Sequence, residues 1–272
     1  MGELTSRSSS RKLRVAERAA IAGGSFPATR WSAILAARSA DPVERDRALD
    51  ALLAAYWKPV YKYVRVRWSK SAEDAQDLTQ DFFIRLVEKK LLDGYDPARA
   101  RLRTFIRTCV DHLVANQARA DQRQKRGAGA QHLSLDFASA EGELKRLDPA
   151  VPPEMDQFFE REWARSVFAA GIERLRAHLS AQNKPVHFRI FERYDLLEAD
   201  GAEKRPTYQQ LAAELGLSST DVTNYLAFAR REFRRIVLDF LRETAASDQE
   251  FRREARALLG AEPPDEAAKP QQ

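Results

Sequence analysis

Apolar residues recur at helical spacing along most of this chain, and no other feature constrains its fold as strongly. One run begins at Leu49 and continues through Tyr56 to Val64, with apolar side chains repeatedly three or four positions apart. Residues 75–86 and 102–114 repeat the same spacing. This spacing places apolar side chains on one face of an α-helix, whereas a half-buried strand alternates apolar and polar residues. Because no convincing alternation occurs, the sequence predicts an all-α protein.

Breaks in this spacing divide the chain into regions. We expect residues 1–25, rich in Ser and Arg, to be a disordered basic segment, and residues 260–272 to be a disordered tail. Residues 127–153 contain glycines and prolines with little sustained periodicity, which is typical of a flexible linker. The sequence therefore predicts two helical lobes, 26–126 and 154–259, joined by that linker.

Charge is distributed unevenly, although the whole chain carries a formal net charge of only +5. Residues 99–126 hold eight basic residues against two acidic ones, a net charge of +6. Residues 136–162 hold eight acidic residues against three basic ones, a net charge of −5. A basic stripe beside an acidic stretch indicates a polyanionic partner for the first segment and not for the second.

The strongest local signal lies between residues 208 and 235 and has the spacing of a helix-turn-helix. Ala212 stands four residues before Gly216, and Val222 follows six residues after the glycine. A small residue lets two helices approach, glycine accepts the left-handed turn conformation, and Val222 can fill the shared core. Ser218 can cap the second helix, whose first residues would meet base edges. A plain helical hairpin is the alternative, but the arginines that follow favour DNA contact.

Two helices of the first predicted lobe carry candidate interaction surfaces. Ser71 followed by Asp74 resembles a capping box that opens a helix reaching about Lys90. Acidic residues form a stripe beside its apolar face, for which a solvated surface is the default interpretation. The helix within residues 99–126 combines arginines with Phe105. Positive grooves with stacking side chains hold single-stranded nucleic acid, so this helix is a candidate for such contact.

The sequence contains no group of residues typical of an enzyme. Its four histidines show no metal-ligand spacing with acidic residues or with Cys109, and there is no glycine-rich phosphate loop. We therefore expect no catalytic residues, no metal and no cofactor. The single cysteine fits a reducing compartment, and no apolar stretch approaches the ~20 residues of a membrane span. These features predict a cytoplasmic protein without membrane insertion.

Three segments together resemble a bacterial RNA polymerase sigma factor. Residues 73–83 (EDAQDLTQDFF) are similar to the helix of sigma region two that docks on the polymerase clamp. Residues 102–106 (LRTFI), continuing to residues 124–127 (QKRG), resemble the part of region two that opens and reads the minus-ten element. Residues 206–235 resemble region four, which reads the minus-thirty-five element. Their order resembles that of factors of the extracytoplasmic-function (ECF) type.

Two further segments resemble a planctomycete-like subgroup of ECF factors, namely residues 26–32 (FPATRWS) and 133–136 (LSLD). Thr223, Tyr225 and Phe228 depart from the family pattern, because many members carry Lys or Arg at such positions of the recognition helix. This departure argues against the usual promoter sequence for this chain.

The resemblance implies three sets of contact residues. Polymerase docking would use polar groups around an apolar centre at Phe82 or Phe83, and the set is Asp74, Asp77, Gln80, Asp81, Phe82 and Arg85. The separated strand at minus-ten would be held by Arg101, Arg103, Phe105, Arg107, His112, Asn116, Arg119, Arg123, Lys125 and Arg126. The minus-thirty-five duplex would be contacted by Ser218, Ser219, Thr220, Asp221, Thr223, Asn224, Arg230, Arg231 and Arg234.

The implied partners are core RNA polymerase and promoter DNA, with nucleotidyl transfer left to the polymerase. An anti-sigma factor that binds residues 248–259 and a protein kinase that modifies Thr79 are further candidate partners. Two other functions use a helix-turn-helix. A dimeric repressor would bind specific duplex DNA without polymerase, and a recombinase or transposase would need a catalytic domain with a strand pattern or an acidic triad. A sigma factor would instead bind core polymerase tightly and free promoter DNA poorly.

Overall fold

The computed structural model describes residues 42–88, 91–96, 99–121, 135–146, 154–196, 205–245 and 247–260. Helices dominate these segments and no strand occurs in them, which confirms the all-α prediction. The helices are α1 (Pro42–Arg67), α2 (Ala72–Glu88), α3 (Leu102–Asp121), α4 (Phe137–Lys145), α5 (Met155–Ala181), α6 (Pro185–Phe191), α7 (Tyr208–Leu215), α8 (Ser219–Thr244) and α9 (Asp248–Leu259). A 3-10 turn, Leu91–Gly94, follows α2, and a π-helical turn, Glu192–Leu196, follows α6.

The chain divides into two compact units, and each is described by itself. The first unit consists of the described residues up to Val167 together with residues 241–260. The second unit is Phe168–Phe240. This division differs from the predicted lobes, because the start of α5 and all of α9 belong to the first unit.

The core of the first unit forms around α1, which packs against α2, α3 and α4. The apolar residues that the spacing placed on one face of each helix are buried there. They include Leu52, Tyr56, Val60, Val64, Ala75, Leu78, Phe82, Leu86, Leu102, Ile106, Val110 and Val114. Each buried Leu, Ile or Phe side chain contributes about 1.5–3 kcal/mol relative to an exposed one, which is why these helices associate.

The helix α4 lies inside the segment that we predicted to be a flexible linker. Asp136 caps it, since its side chain accepts a hydrogen bond from the backbone N of Ser139. The buried Phe137 packs against α1, with ring centroids 5.0 Å from Tyr61 and 5.6 Å from Trp57. Nine residues are too few to show the periodicity of a longer helix, so the sequence did not indicate it.

The second unit contains the predicted helix-turn-helix, formed by α7 and α8. Thr207 opens α7 with a capping box: its hydroxyl oxygen accepts a hydrogen bond from the backbone N of Gln210, and the Gln210 side-chain oxygen accepts one from the backbone N of Thr207. Gly216 ends α7 in the left-handed conformation, with φ of 66°, as its position in the motif requires. Ala212 and Val222 are both buried where the two helices meet. These features confirm the geometry expected from the spacing.

Candidate polymerase and nucleic-acid interfaces

The acidic stripe of α2 lies on an exposed side of that helix. Ser71 caps the helix, since its Oγ accepts a hydrogen bond from the backbone N of Asp74 at 3.0 Å. Asp74 and Asp77 are exposed. Asp81 is half-buried, and a carboxylate oxygen of Asp81 lies 2.8 Å from Nε of Arg85. The stripe therefore presents two carboxylates and one ion pair to a partner.

The other residues predicted to dock on the polymerase lie in the core. Phe82 and Phe83 are 1% and 2% exposed, so neither forms an apolar centre on the surface, and that assignment is corrected. Burial of these rings removes a large apolar area from water. The favourable free energy of that burial explains why both rings lie in the core. Gln80 is also buried, and its Oε1 has no hydrogen-bond partner among the described residues.

Thr79, the candidate site of phosphorylation, is fully buried in the first unit. Its hydroxyl donates a hydrogen bond to the backbone O of Ala75 at 2.7 Å. A kinase has no access to this hydroxyl in the structure. The prediction that Thr79 is a phosphorylation site is therefore corrected.

The helix α3 exposes only part of the set predicted to hold the separated strand. Arg101 directly precedes the helix and is exposed, as are His112 and Asn116. His112 and Asn116 are four residues apart, which places them on neighbouring turns of one face. Phe105 is half-buried, and its ring packs against Tyr95 with centroids 5.2 Å apart.

Arg103 is buried rather than exposed, in contrast to the predicted role. Its side chain is 4% exposed, and its guanidinium lies 3.9 Å from the centroid of the Trp163 ring. One of its nitrogens lies 2.6 Å from a carboxylate oxygen of Glu160, and another lies 2.6 Å from Glu254. Burial alone would lower the pKa of Arg103, but the nearby charge of Glu254 raises it above the ordinary value. The assignment of Arg103 to strand contact is therefore corrected.

Arg107 also has an acidic partner, because its guanidinium forms an ion pair with Asp156 at the start of α5. The same pattern occurs along α1. Carboxylate oxygens of Glu141, Glu143 and Glu162 lie 2.5–2.6 Å from nitrogens of Arg65, Lys58 and Lys62. The acidic stretch therefore folds against basic residues of the same unit. The opposite net charges of residues 99–126 and 136–162 signalled the pairs made by Arg103 and Arg107, whereas the basic residues of α1 lie outside both segments.

The first turns of α8 form an exposed surface suited to duplex contact. Ser218 caps the helix, and its Oγ accepts a hydrogen bond from the backbone N of Asp221 at 3.0 Å. The Ser218 hydroxyl also lies 2.6 Å from the Asp221 carboxylate, so this acid is engaged in the cap. The remaining predicted residues of these turns are exposed, namely Ser219, Thr220, Thr223 and Asn224.

The predicted phosphate-binding arginines of α8 have different environments. Arg230 donates two hydrogen bonds to Asp195, at 2.8 and 2.6 Å, and these bonds raise the pKa of Arg230. Arg231 is exposed, and Arg234 is half-buried. A phosphate bound by Arg230 would therefore have to displace the Asp195 carboxylate or share the Arg230 guanidinium with it.

Two of the unusual recognition-helix residues are held by α6 and the residue before it. The rings of Tyr225 and His187 stack with centroids 4.0 Å apart, and Nζ of Lys184 lies 4.2 Å from the centre of the Phe228 ring. Burial, followed by the charge of Lys184, lowers the pKa of His187 and keeps its ring neutral at pH 7. Thr223, in contrast, is exposed.

Some sequence predictions lie outside the described residues. Arg123, Lys125 and Arg126 belong to this group, as do the subgroup segment 26–32 and the first half of the segment 133–136. Arg119 lies within α3, but its side chain is not among those that the structure describes.

The described part of the chain offers little reactive chemistry. No group of His, Cys, Asp and Glu within it could hold a metal ion. Burial raises the pKa of the Cys109 thiol to about 11, so this cysteine remains protonated at neutral pH. No helix among the described residues is both long enough and apolar enough to cross a membrane.

A helical bundle with a basic helix, together with a helix-turn-helix, is typical of all-α DNA-binding proteins. Comparison with protein families gives a match between residues 52–124 and the model of sigma-70 region 2. No curated protein and no solved structure shows a significant match to the chain. The matched residues cover most of α1 and all of α2 and α3. The match supports a place in the sigma-70 family of sigma factors.

Proposed function

We propose that this chain is a sigma factor of the ECF type that binds core RNA polymerase and directs promoter recognition, DNA melting and the start of transcription. The observation that carries the proposal is the region 2 match over α1 to α3, on a chain that also contains a helix-turn-helix. Region 2 alone would suggest polymerase binding. The second motif adds a means of holding duplex DNA upstream of the melted region.

Docking on the polymerase would use the exposed part of α2. Asp74 and Asp77 supply full negative charges, while Asp81 and Arg85 form an exchangeable pair with side chains 36% and 40% exposed. Exposed ion pairs of this kind contribute about 0–1 kcal/mol, so a partner can replace one at little cost. Electrostatic complementarity of this type sets association rate and orientation more than affinity.

Strand opening would use the exposed face of α3. Arg101 can hold a phosphate, and His112 and Asn116 can hydrogen-bond an unstacked base. Phe105 is half-buried and braces this part of the unit against Tyr95. Arg103 is left out of the contact set because its charge is already neutralised inside the unit.

Duplex recognition would use the start of α8 for base edges and Arg231 for phosphate. Ser219, Thr220, Thr223 and Asn224 are short polar side chains that can donate to and accept from bases. This set differs from a surface rich in Lys and Arg, so we expect modest affinity for free duplex DNA and recognition that depends on the polymerase.

The experiment that tests the proposal measures binding to bacterial core polymerase, followed by run-off transcription from genomic fragments. The double variant Asp77→Lys with Asp81→Lys should lose polymerase binding and keep its helical content. The matched control is Glu154→Lys with Glu173→Lys, which changes the net charge equally at exposed positions outside α2. Polymerase affinity equal in the two variants would contradict the docking assignment.

The alternative is a helix-turn-helix regulator that acts without polymerase. The geometry of α7 and α8 is compatible with it, since that motif serves many DNA-binding proteins. A wild-type chain that binds specific duplex DNA tightly but shows no affinity for core polymerase would favour this alternative and exclude the sigma factor.

A further inference from the structure

The helix α9 lies outside the region 2 match but belongs to the same compact unit. Ser247 caps it through a hydrogen bond from the backbone N of Glu250 at 3.1 Å, and Gly260 ends it in the left-handed conformation. One side of the helix is buried, with Glu250, Phe251, Glu254 and Ala255 all below 8% exposure. The buried face fixes the position of α9 within the unit.

The buried carboxylates of α9 attach it to the start of α3. Glu250 accepts a hydrogen bond from the backbone N of Leu102 at 3.1 Å, which satisfies a donor at the first turn of α3. The Tyr95 hydroxyl lies 3.5 Å from the same carboxylate, and Glu254 pairs with Arg103. The orientation of α9 is therefore set by the helix that we propose to contact the opened strand.

The opposite side of α9 carries arginines. Arg252, Arg253 and Arg256 are exposed, and the first two have side chains 48% and 44% exposed. Arg252 has an ion pair with Asp248 at 2.8 Å, and Arg253 lies 3.9 Å from Glu254. Pairs at this exposure are weak and can be exchanged for another anion.

Two further arginines directly precede the first turn of α3, to which α9 is attached. Arg99 and Arg101 are exposed there, and the backbone O of Ala100 between them accepts a hydrogen bond from the Tyr95 hydroxyl. Burial and the Glu250 charge raise the pKa of Tyr95, while the charge of Arg253 opposes that change. The Tyr95 hydroxyl thus lies between Glu250 of α9 and the segment that carries Arg99 and Arg101.

We infer that the exposed face of α9, formed by Arg252, Arg253 and Arg256, binds the phosphate backbone of promoter DNA beside the strand held by α3. The inference rests on the proposed function. Guanidinium groups suit phosphate because they donate in a planar fork and are weakly hydrated. A stable protein interface has an apolar centre, whereas the exposed positions of α9 among the described residues hold no large hydrophobic side chain. A polyanion therefore fits this surface better than a protein does.

The test compares two triple variants in the assembled holoenzyme. The first is Arg252→Gln with Arg253→Gln and Arg256→Gln, which keeps helix-forming residues on an exposed face. The control is Arg67→Gln with Arg146→Gln and Arg161→Gln, three exposed arginines of the same unit outside α9. Both variants lose the same charge, so only the location of that charge differs between them.

The measurement is the slope of log affinity against log salt concentration, on a promoter fragment that the wild-type holoenzyme transcribes. We expect the α9 variant to lower the magnitude of the slope by about 0.9 for each phosphate that its arginines neutralise in the wild type, and the control to leave it unchanged. An unchanged slope in the α9 variant, or an equal change in both variants, would overturn the inference. Loss of core polymerase binding by the α9 variant alone would assign the surface to a protein instead. Failure of the wild-type chain to bind polymerase would refute the proposed function, which is a separate result.

Discussion

The two compact units differ in the number of polar residues that they bury. Every buried polar or charged residue among those described lies in the first unit: Lys62, Thr79, Gln80, Arg103, Glu162, Ser166, Thr244, Glu250 and Glu254. The described core of the second unit is apolar, with Leu175, Leu179, Ile190, Leu211 and Val222 at its centre. The first unit therefore depends on specific charge pairs, and the second depends on shape and apolar area.

The buried pairs of the first unit join residues that lie far apart in the sequence. The ion pairs Lys62–Glu162 and Arg103–Glu254 join residues 100 and 151 positions apart. The motif of α7 and α8 joins residues that are close in the chain. A buried pair adds specificity to a long-range contact, because any other pairing would leave a charge unsatisfied.

The largest effect is expected from breaking a buried pair of the first unit. Lys62→Met leaves Glu162, which is 2% exposed, with a single ion pair among the described residues, the one to Arg165 on its own helix. Removing one partner of a buried pair costs about 3–5 kcal/mol, because the other charge stays in the core. Native-state amide hydrogen exchange of α1 measures the loss, since exchange reports opening of each unit separately.

Two controls sharpen this first comparison. The double variant Lys62→Met with Glu162→Leu should regain most of the loss, since apolar residues of similar volume can replace a buried pair. In the second unit, Leu179→Met should cost less than about 1.5 kcal/mol, because volume is conserved in an apolar core. If the single and double variants of the first unit were equally unstable, the importance of the unpaired charge would be refuted.

Local features of both units could be predicted from the sequence. The all-α class, the cap at Ser71 and the left-handed Gly216 follow from spacing and from residue-specific backbone preferences. Such features depend on neighbours within a few residues. The physical cause of each feature is therefore contained in the few residues around it.

Long-range features could not be predicted in the same way. Nothing in the spacing around Arg103 distinguishes a guanidinium that reaches DNA from one that pairs with Glu160 and Glu254. Phe82 was predicted to be both a core residue and a docking centre, and its burial excludes the second role. The place of α9 depends on the carboxylates of Glu250 and Glu254, whose partners follow only from the folded chain.

A smaller effect is expected from a steric change in the second unit. An alanine Cβ at Gly171 would lie 2.9 Å from Cγ2 of Val237 and 3.1 Å from Cε2 of Phe233. Overpacking costs about 1–3 kcal/mol, and the better helix propensity of alanine offsets about 1 kcal/mol of it. Gly171→Ala should therefore destabilise the unit by up to about 2 kcal/mol, as measured by hydrogen exchange of α8.

The matched control is Gly142→Ala in α4 of the first unit, where no described atom other than its chain neighbours and the adjacent backbone of α4 lies within 4 Å of the added Cβ. Only propensity acts there, so stability should increase by up to about 1 kcal/mol. Stabilisation by both substitutions would show that the second unit is packed less tightly than its apolar core indicates.

Helix caps should contribute equally in the two units. Thr207→Ala removes the acceptor for the backbone N of Gln210 in the second unit, and Ser247→Ala removes the acceptor for Glu250 in the first. Each loss should cost about 1 kcal/mol, the typical cost of removing the side-chain acceptor at a helix N-terminus. Urea unfolding followed by hydrogen exchange measures both. A cost confined to one unit would show that the units differ in local interactions as well as in buried pairs.

The smallest effect is expected from the acid dependence of α4 packing. A hydrogen bond from Arg65 lowers the pKa of the Glu141 carboxyl, and burial opposes this effect. The net result is a pKa below the ordinary value. A carboxyl whose pKa is lower in the folded state stabilises the fold above its unfolded pKa, near 4.5. That contribution is lost as the pH falls through the lower, folded pKa.

Glu141→Gln should therefore reduce stability at pH 7 by up to about 1 kcal/mol, because the pair with Arg65 is partly exposed. The difference between variant and wild type should shrink as the pH falls from 5 towards the folded pKa of Glu141. Hydrogen exchange of α1 at several pH values measures it, and exchange of α7 in the other unit should not change. A difference that stays constant across this range would show that Glu141 stabilises α4 by packing rather than by its charge.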